Sequence, residues 1–466
     1  MWGTAVRKII MLVATALVAV TLTGAPASAK GTPDKYVPKA GPSFNNPYGT
    51  QPAVRRLISQ VNRTIDSVPR GGKIRISAWN VRSAAITNAL IRAHRRKVSV
   101  QVVMDRANWN PNNPNVDAAR LWTALKQGNK GRAKEKKSFL RRCIGSCRGR
   151  YGIPHTKFFL FNKVRVKKNK AIKTVRWVTM YGSYNATELG ATIQWNDLFT
   201  IKNDETRYDQ FLSVFDEMTK DKPIKNAYTG YYDDGAVATA FYPYIGKNAG
   251  ADPIMDVLNQ VTCKGATTNR NGTTRIRIAQ TAMYGDRGLA LARKIAQLQR
   301  SGCNIRLVYA MFGGEVLRIL RAARVPLTHL AYDNDEDGLY DRYVHMKSMA
   351  ISGYYGGNTA ARMVWNGSAN WTSVALASDE VVGVVNKKWV TNKYMQWIDY
   401  MFTHRPAAWG PEHPGNNGAA PTGRIAVGAL DTYQARAAAQ DQYDAMVEAR
   451  ARKRGVDPYA LIKEEN

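Results

Sequence analysis

Cysteine and histidine are scarce in this 466-residue chain, four of one and six of the other. Cys143 and Cys147 have no second close Cys or His pair, which excludes a zinc ribbon or finger and leaves disulfides as the favoured use. Four cysteines allow three pairings. Of these, Cys143 with Cys147 closes a small loop in "RRCIGSCRG", and Cys263 with Cys303 ties two helix ends together. Acidic residues are also few, 35 Asp and Glu against 68 Lys and Arg, a formal charge of +33. Such an imbalance implies attraction to polyanions: nucleic acid, anionic lipid surfaces or acidic wall polymers. After the first thirty residues no apolar run is long enough to span a bilayer, which excludes a helical membrane span there. Apolar residues at 44% and aromatics at 10% exclude wholesale disorder.

What is present begins with an export signal. "MWGTAVRKIIMLVATALVAVTLTGAPASAK" has Arg7 and Lys8 at a positive start, a short apolar run and a small-residue cleavage site at Ala27-Ser28-Ala29. Residues 1–29 are therefore expected to be removed and the mature chain to be secreted, an oxidising destination that suits disulfides. Two stretches concentrate the charge. "KGRAKEKKSFLRRCIGSCRGR" carries nine basic residues against one Glu, and "KVRVKKNKAIKTVR" carries seven and no acid. They flank His155 on either side, a placement that suits electrostatic capture of substrate.

The chain repeats itself once. After a short N-terminal extension (30–45), the first half (46–225) runs helix "RRLISQVNRTIDSV", strand "KIRISAWNV", helix "SAAITNALIRAHRR" and strand "VSVQVVMD". The second half (226–404) answers with helix "DPIMDVLNQV", strand "TRIRIAQTAM", helix "RGLALARKIAQLQRSG" and strand "NIRLVYAMF". Each half then presents a His-x-Lys segment, "PHTKFFLFNK" or "VHMKSMAISG". A hairpin insertion follows, then a Gly-Ser-x-x-Asn segment, "YGSYNAT" or "NGSANWT", an acidic pair and a closing helix. Strands alternating with helices predict an α/β fold in each half. A tail (405–466) follows, made of a Pro/Gly linker and the helical "YQARAAAQDQYDAMVEARARKRG".

Residues two apart on a strand share a face, so His155 lies beside Lys157, and His345 beside Lys347. The hairpins would bring Ser183 and Asn185, or Ser368 and Asn370, next to them. That set suits a phosphate. Lys supplies charge, Asn and Ser supply hydrogen bonds to non-bridging oxygens, and His can attack or exchange a proton near neutrality.

With both motifs present twice and in order, the sequence resembles the phospholipase D superfamily, whose members carry two copies of His-x-Lys-x4-Asp followed by Gly-Ser-x-x-Asn. The resemblance covers residues 46 to 404. It implies two similar α/β domains about a pseudo-twofold axis with one active site at their interface, a phosphohistidine intermediate, and no cofactor or catalytic metal. It casts His155 as nucleophile and His345 as acid, with the reverse assignment left open by the symmetry. Lys157, Lys347, Asn185 and Asn370 would hold the phosphate with help from Ser183 and Ser368. Asp197 and Glu380 would orient the histidines, with Asp379 as a near rival. The family Asp is replaced by Asn162 and Ser352, as in members resembling tyrosyl-DNA phosphodiesterase, which also lack it.

The expected activity is that of a secreted, monomeric phospholipase D acting on phospholipid or a membrane surface. A metal-independent nuclease acting on nucleic acid is the alternative, and a non-catalytic polyanion binder the third. Aromatics near the motifs (Tyr184, Trp195, Trp365, Trp371) could cradle a choline-like cation or belong to the core, the better expectation for Trp365 and Trp371. One further signal is "DNDEDGLYD", where Asp333, Asp335, Asp337 and Asp341 have the opening spacing of a calcium loop. Val344 stands where the bidentate Glu belongs, and an acidic turn is the favoured reading.

Overall fold

The computed structural model describes residues 36–168, 171–232, 236–244, 251–404 and 433–464. The expected export signal and Pro/Gly linker therefore lie outside the described residues. Two sheets dominate, and they are built alike. The first runs, edge to edge, through Gly41–Phe44, Asp197–Ile201, Ala171–Gly182, Phe158–Lys168, Lys73–Ser77, Ser99–Asp105 and Phe139–Cys143. The second runs through Val237–Phe241, Val381–Asn386, Asn358–Gly367, Lys347–Tyr355, Arg275–Met283, Asn304–Phe312 and Leu327–His329, with Thr229–Tyr231 added at one edge. Position for position the order is the same. In each, two parallel strands (Lys73–Ser77 with Ser99–Asp105, Arg275–Met283 with Asn304–Phe312) adjoin the antiparallel hairpin that starts just after the His-x-Lys segment. The α/β expectation and the internal repeat are both realised.

Local chemistry accounts for the elements. Ser83 caps the helix Ala84–Arg95 by accepting the Ile86 N–H, and Asp204 caps Glu205–Met218 through Arg207 N–H. The hairpin after Tyr355 turns on Gly356 and Gly357 at φ +56° and +79°, a left-handed pair that lets two strands reverse within two residues. Two expectations need adjusting. The strand read over 73–81 stops at Ser77, and Val81–Arg82 pairs instead with Ala186–Thr187, beside the Gly-Ser-x-x-Asn segment. The insertion 162–176 is a continuation of both strands, paired from Lys163 opposite Arg176 to Lys168 opposite Ala171.

The halves interlock. Gln194–Trp195 of the first pairs in parallel with Arg342–Val344 of the second, and Pro154 of the first bridges to Asp379 of the second. One core cluster spans the junction, joining Phe158, Tyr181 and Phe211 to Val364, Val381 and Tyr394. No helix among the described residues is long and apolar enough to cross a membrane.

Both favoured disulfides form, Cys143–Cys147 and Cys263–Cys303. The second links positions 40 residues apart. Replacing Cys263 and Cys303 together by serine is expected to cost about 3–4 kcal/mol through the freed unfolded chain, read as a lowered urea midpoint with a steeper slope, since the freed chain exposes more surface.

Candidate active site

Each Gly-Ser pair is dictated by a close approach of backbone. A Cβ on Gly182 would lie 2.4 Å from the Asp197 carbonyl oxygen, and one on Gly367 (φ +155°) would lie 1.9 Å from that of Val381. Only glycine lets the next residue form its hydrogen bond there, Ser183 N–H to Asp197 O at 3.2 Å and Ser368 N–H to Val381 O at 2.9 Å. Gly367→Ala is thus expected to destabilise by about 2 kcal/mol or more, seen as a fall in Tm together with loss of the site.

The serine hydroxyls are then committed. Ser183 Oγ donates to Asn196 Oδ1 (2.8 Å) and accepts from Asp197 N–H (3.0 Å). Ser368 Oγ donates to Glu380 Oε2 and accepts from Val381 N–H (3.0 Å). Their expected help to a phosphate is therefore corrected. They brace Asn196 and Glu380.

These braced side chains reach across the junction to the histidines. His155 Nδ1 meets Glu380 Oε1 at 2.7 Å, while His345 Nδ1 meets Asn196 Oδ1 at 2.9 Å. The backbones repeat the exchange, with His155 N–H donating to Asp379 O and His345 N–H to Trp195 O, each at 2.9 Å. Each half's histidine is thus oriented by the other half. The counterpart of Glu380 is Asn196, one residue before the expected Asp197. The Asn196 amide is fixed with its oxygen towards the ring, because its Nδ2 donates to Gly190 O at 3.0 Å. Asp197 does not face a histidine. It accepts from Ser183 N–H (3.2 Å), Asn366 Nδ2 (2.9 Å) and Tyr394 OH (2.7 Å), bonds that offset the burial raising its pKa. Asp379 turns away as well, accepting from Ser146 Oγ (2.9 Å) and Cys147 N–H (2.5 Å), and burial pushes its carboxyl up to about 7. Sequence reasoning missed Asn196 because only acids were sought at that position. Spacing from the Gly-Ser pair gives no signal for it, since Asn196 lies 13 residues after Ser183 and Glu380 12 after Ser368.

The lysines complete the cluster. Lys157 Nζ donates to His155 O at 2.8 Å and Lys347 Nζ to His345 O at 2.9 Å, and both are buried. Each influences both imidazoles. Burial above all, then Lys157 and Lys347 against the opposing pull of Glu380, bring His155 down to about 4. His345 is pushed well below the usual range by burial, the same two ammoniums and His155 itself. Both rings are therefore neutral near pH 7. Asn185 lies fully buried with neither its oxygen nor its nitrogen hydrogen-bonded among the described residues. A buried amide of this kind is suited to a polar ligand such as a phosphate oxygen. The second-copy Asn370 is also buried, its backbone carbonyl held at 2.8 Å by Arg287, which is paired with Asp252.

The remaining candidates fall elsewhere. Asn162 Oδ1 accepts Lys73 N–H at 2.7 Å, stitching the sheet, and Ser352 sits buried opposite Arg275. Tyr184, Trp195, Trp365 and Trp371 are all buried, and Tyr184 stacks on Phe159 in the core. Asp333, Asp335 and Asp337 do cluster within 4.8 Å. However, Asp333 accepts the N–H groups of Asp337 and Gly338 and faces Arg450 of the tail helix Tyr433–Arg454 at 3.4 Å. Asp341 instead accepts from Asn334. The acidic turn is tied down by protein groups.

Comparison with known proteins follows the same line. Residues 67–219 match a family model described as cardiolipin synthase, PLD-like domain. Phosphatidylserine synthase from Haemophilus influenzae Rd KW20 superposes with TM-score 0.51 at 12% identity, covering 91% of this chain and 94% of that one. Residues 67–219 thus match a phospholipase D-like domain, and the chain as a whole shares the fold of this synthase. Two further structures are similar over less of the molecule. Polyphosphate kinase from Porphyromonas gingivalis has TM-score 0.45 and 12% identity, over 78% of this chain and half of that one. Nuc from Salmonella typhimurium, a phospholipase D family member, has TM-score 0.26 and 21% identity, over 39% of this chain and 95% of that one. No curated protein matches in sequence. In this phospholipase D-type frame the two parallel-strand halves and their shared histidine cluster form one unit.

Proposed function

We propose that the protein is a secreted phosphodiesterase that cleaves phospholipid head-group esters through a phosphohistidine on His155. The observation that carries the reading is the unequal pairing of the two imidazoles, a carboxylate on His155 and a neutral amide on His345. Glu380 accepts Nδ1–H, which directs the Nε2 lone pair of His155 outward and stabilises the cation formed when that nitrogen takes phosphorus. Asn196 gives His345 no such charge, so protonated His345 is the stronger acid and the better proton donor to a leaving alcohol.

The steps balance simply. His155 Nε2 bonds to phosphorus as the ester P–O bond breaks and the alcohol takes its proton from His345. A water then gives a proton to His345 and its oxygen to phosphorus, the P–N bond breaks, and phosphatidate leaves. An alcohol in place of water would give transphosphatidylation. Lys157, Lys347, Asn185 and Asn370 hold the non-bridging oxygens, and the arriving anion offsets the ammoniums and lets His345 carry its proton.

Phospholipid as substrate is supported by the description of the matching family model and by the lipid synthase among the similar folds. The test is parallel incubation of the mature protein with phosphatidylcholine vesicles, anionic vesicles and plasmid DNA, with and without chelator. Head-group release that chelator does not touch is expected. Nicked DNA without lipid turnover, or salt-sensitive binding without any turnover, would overturn the proposal. Because His155 is held neutral down to about pH 4 rather than 6.5, while the step also needs a proton on His345, whose pKa lies well below 6.5, kcat/KM is expected to rise as pH falls from 8 towards 5 and to drop only below about 4. Folding is weakened by acid as well. The unfolded imidazole takes a proton below pH 6.5 that the folded one refuses, so acid destabilises the protein between those two values.

A further inference from the structure

The loop 143–153 runs straight into His155 and is built unlike a solvated loop. Ile144 is 68% exposed and Tyr151 is 76% exposed. The loop is closed on itself by the Cys143–Cys147 disulfide and by Ser146 N–H donating to Gly152 O at 3.1 Å, a bond that Ile144 and Tyr151 bracket closely. Its inner side is bolted to the second half. Ser146 and Cys147 donate to the Asp379 carboxylate, Ile153 N–H donates to Ser378 Oγ (3.1 Å), and Asp379 N–H to Ile153 O (2.9 Å). A rigid scaffold therefore holds two large apolar side chains out in water, while its inner side is bonded to Asp379, the residue before Glu380.

Their neighbours are basic and aromatic. Ile144 lines a concave surface with the 40%-exposed Trp122, Arg106, Arg141 and Arg142. Arg142 lies over the Trp109 ring and Arg141 over Phe139, each at 4.5 Å. Asp221, which accepts from Ile144 N–H at 3.4 Å, is the acid on that surface.

We propose that this rim, Ile144, Tyr151 and Trp122 with Arg141, Arg142 and Arg150, is the seat on which the enzyme rests at an anionic phospholipid bilayer. The inference rests on the lipid reading above and deepens it. An aliphatic tip suits acyl chains, Trp and Tyr suit the headgroup boundary, and guanidiniums suit lipid phosphates. A nucleic-acid strand would use the rings and the arginines but has nothing for an exposed isoleucine.

The test separates seating from chemistry. The double variant Ile144→Ser/Tyr151→Ser and the wild type are compared by co-sedimentation with phosphatidylcholine vesicles containing phosphatidylglycerol at physiological salt, and by turnover of a short-chain phosphatidylcholine kept monomeric. Vesicle partitioning is expected to fall at least about tenfold, with Tm and monomeric turnover unchanged. Equal partitioning of the two proteins would overturn the proposal, as would a loss confined to single-stranded DNA binding. A wild type that binds vesicles through this rim but turns over no lipid would sink the enzymatic reading and leave the seat standing.

Discussion

Replacing His155 by asparagine is expected to reduce turnover of a phosphatidylcholine substrate at least about 10,000-fold, with Tm little altered. Asparagine keeps a polar contact to Glu380 but offers no nitrogen lone pair to phosphorus. Glu380 is not placed to substitute, because it is itself bound to Ser368 and buried. The measurement is single-turnover head-group release. A variant retaining more than a few per cent of wild-type rate would show that phosphorus is never carried on this ring.

His345→Asn should behave differently. With a natural choline ester the loss of the proton donor is expected to cost about 100- to 10,000-fold. With a 4-nitrophenyl phosphodiester, whose leaving group needs no proton, the first step should survive. Phosphorylated His155 then accumulates, because the base that activates water is gone. The expected signature is a nitrophenolate burst of about one equivalent without steady turnover, and an acid-labile mass adduct on the peptide containing His155. The reversed outcome, a burst in His155→Asn and an adduct on His345, would exchange the two roles.

Much of the architecture could be read from periodicity. The helices at 56–66, 84–95, 285–300 and 205–218 and the parallel strands beside them lie within a few residues of expectation, because each helix carries an apolar face, reinforced at 84–95 and 205–218 by a side-chain N-cap. The motif pairs were equally visible, since their strand context fixes which side chains share a face. What stayed hidden is non-local. No spacing rule reveals that His155 takes its carboxylate from residue 380 rather than from its own half. Nor does one show that the acidic side chain of Asp197 serves Tyr394 and Asn366 while the neighbouring amide of Asn196 serves His345. Position along a strand decides that, and a shift of one residue turns a side chain to the opposite face. The serines mislead for a related reason. A hydroxyl beside a histidine looks available for a ligand until its partners across the sheet are known.

The reciprocal exchange between the halves constrains how this protein could ever have been assembled. A single ancestral module, folded alone, would have presented a histidine with its partner position facing water. Two copies would have had to embrace before either ring acquired its full environment. Once both were joined in one polypeptide, symmetry no longer bound them. One carboxylate could drift to an amide without disarming the other, and division of labour between identical inheritances became available to selection.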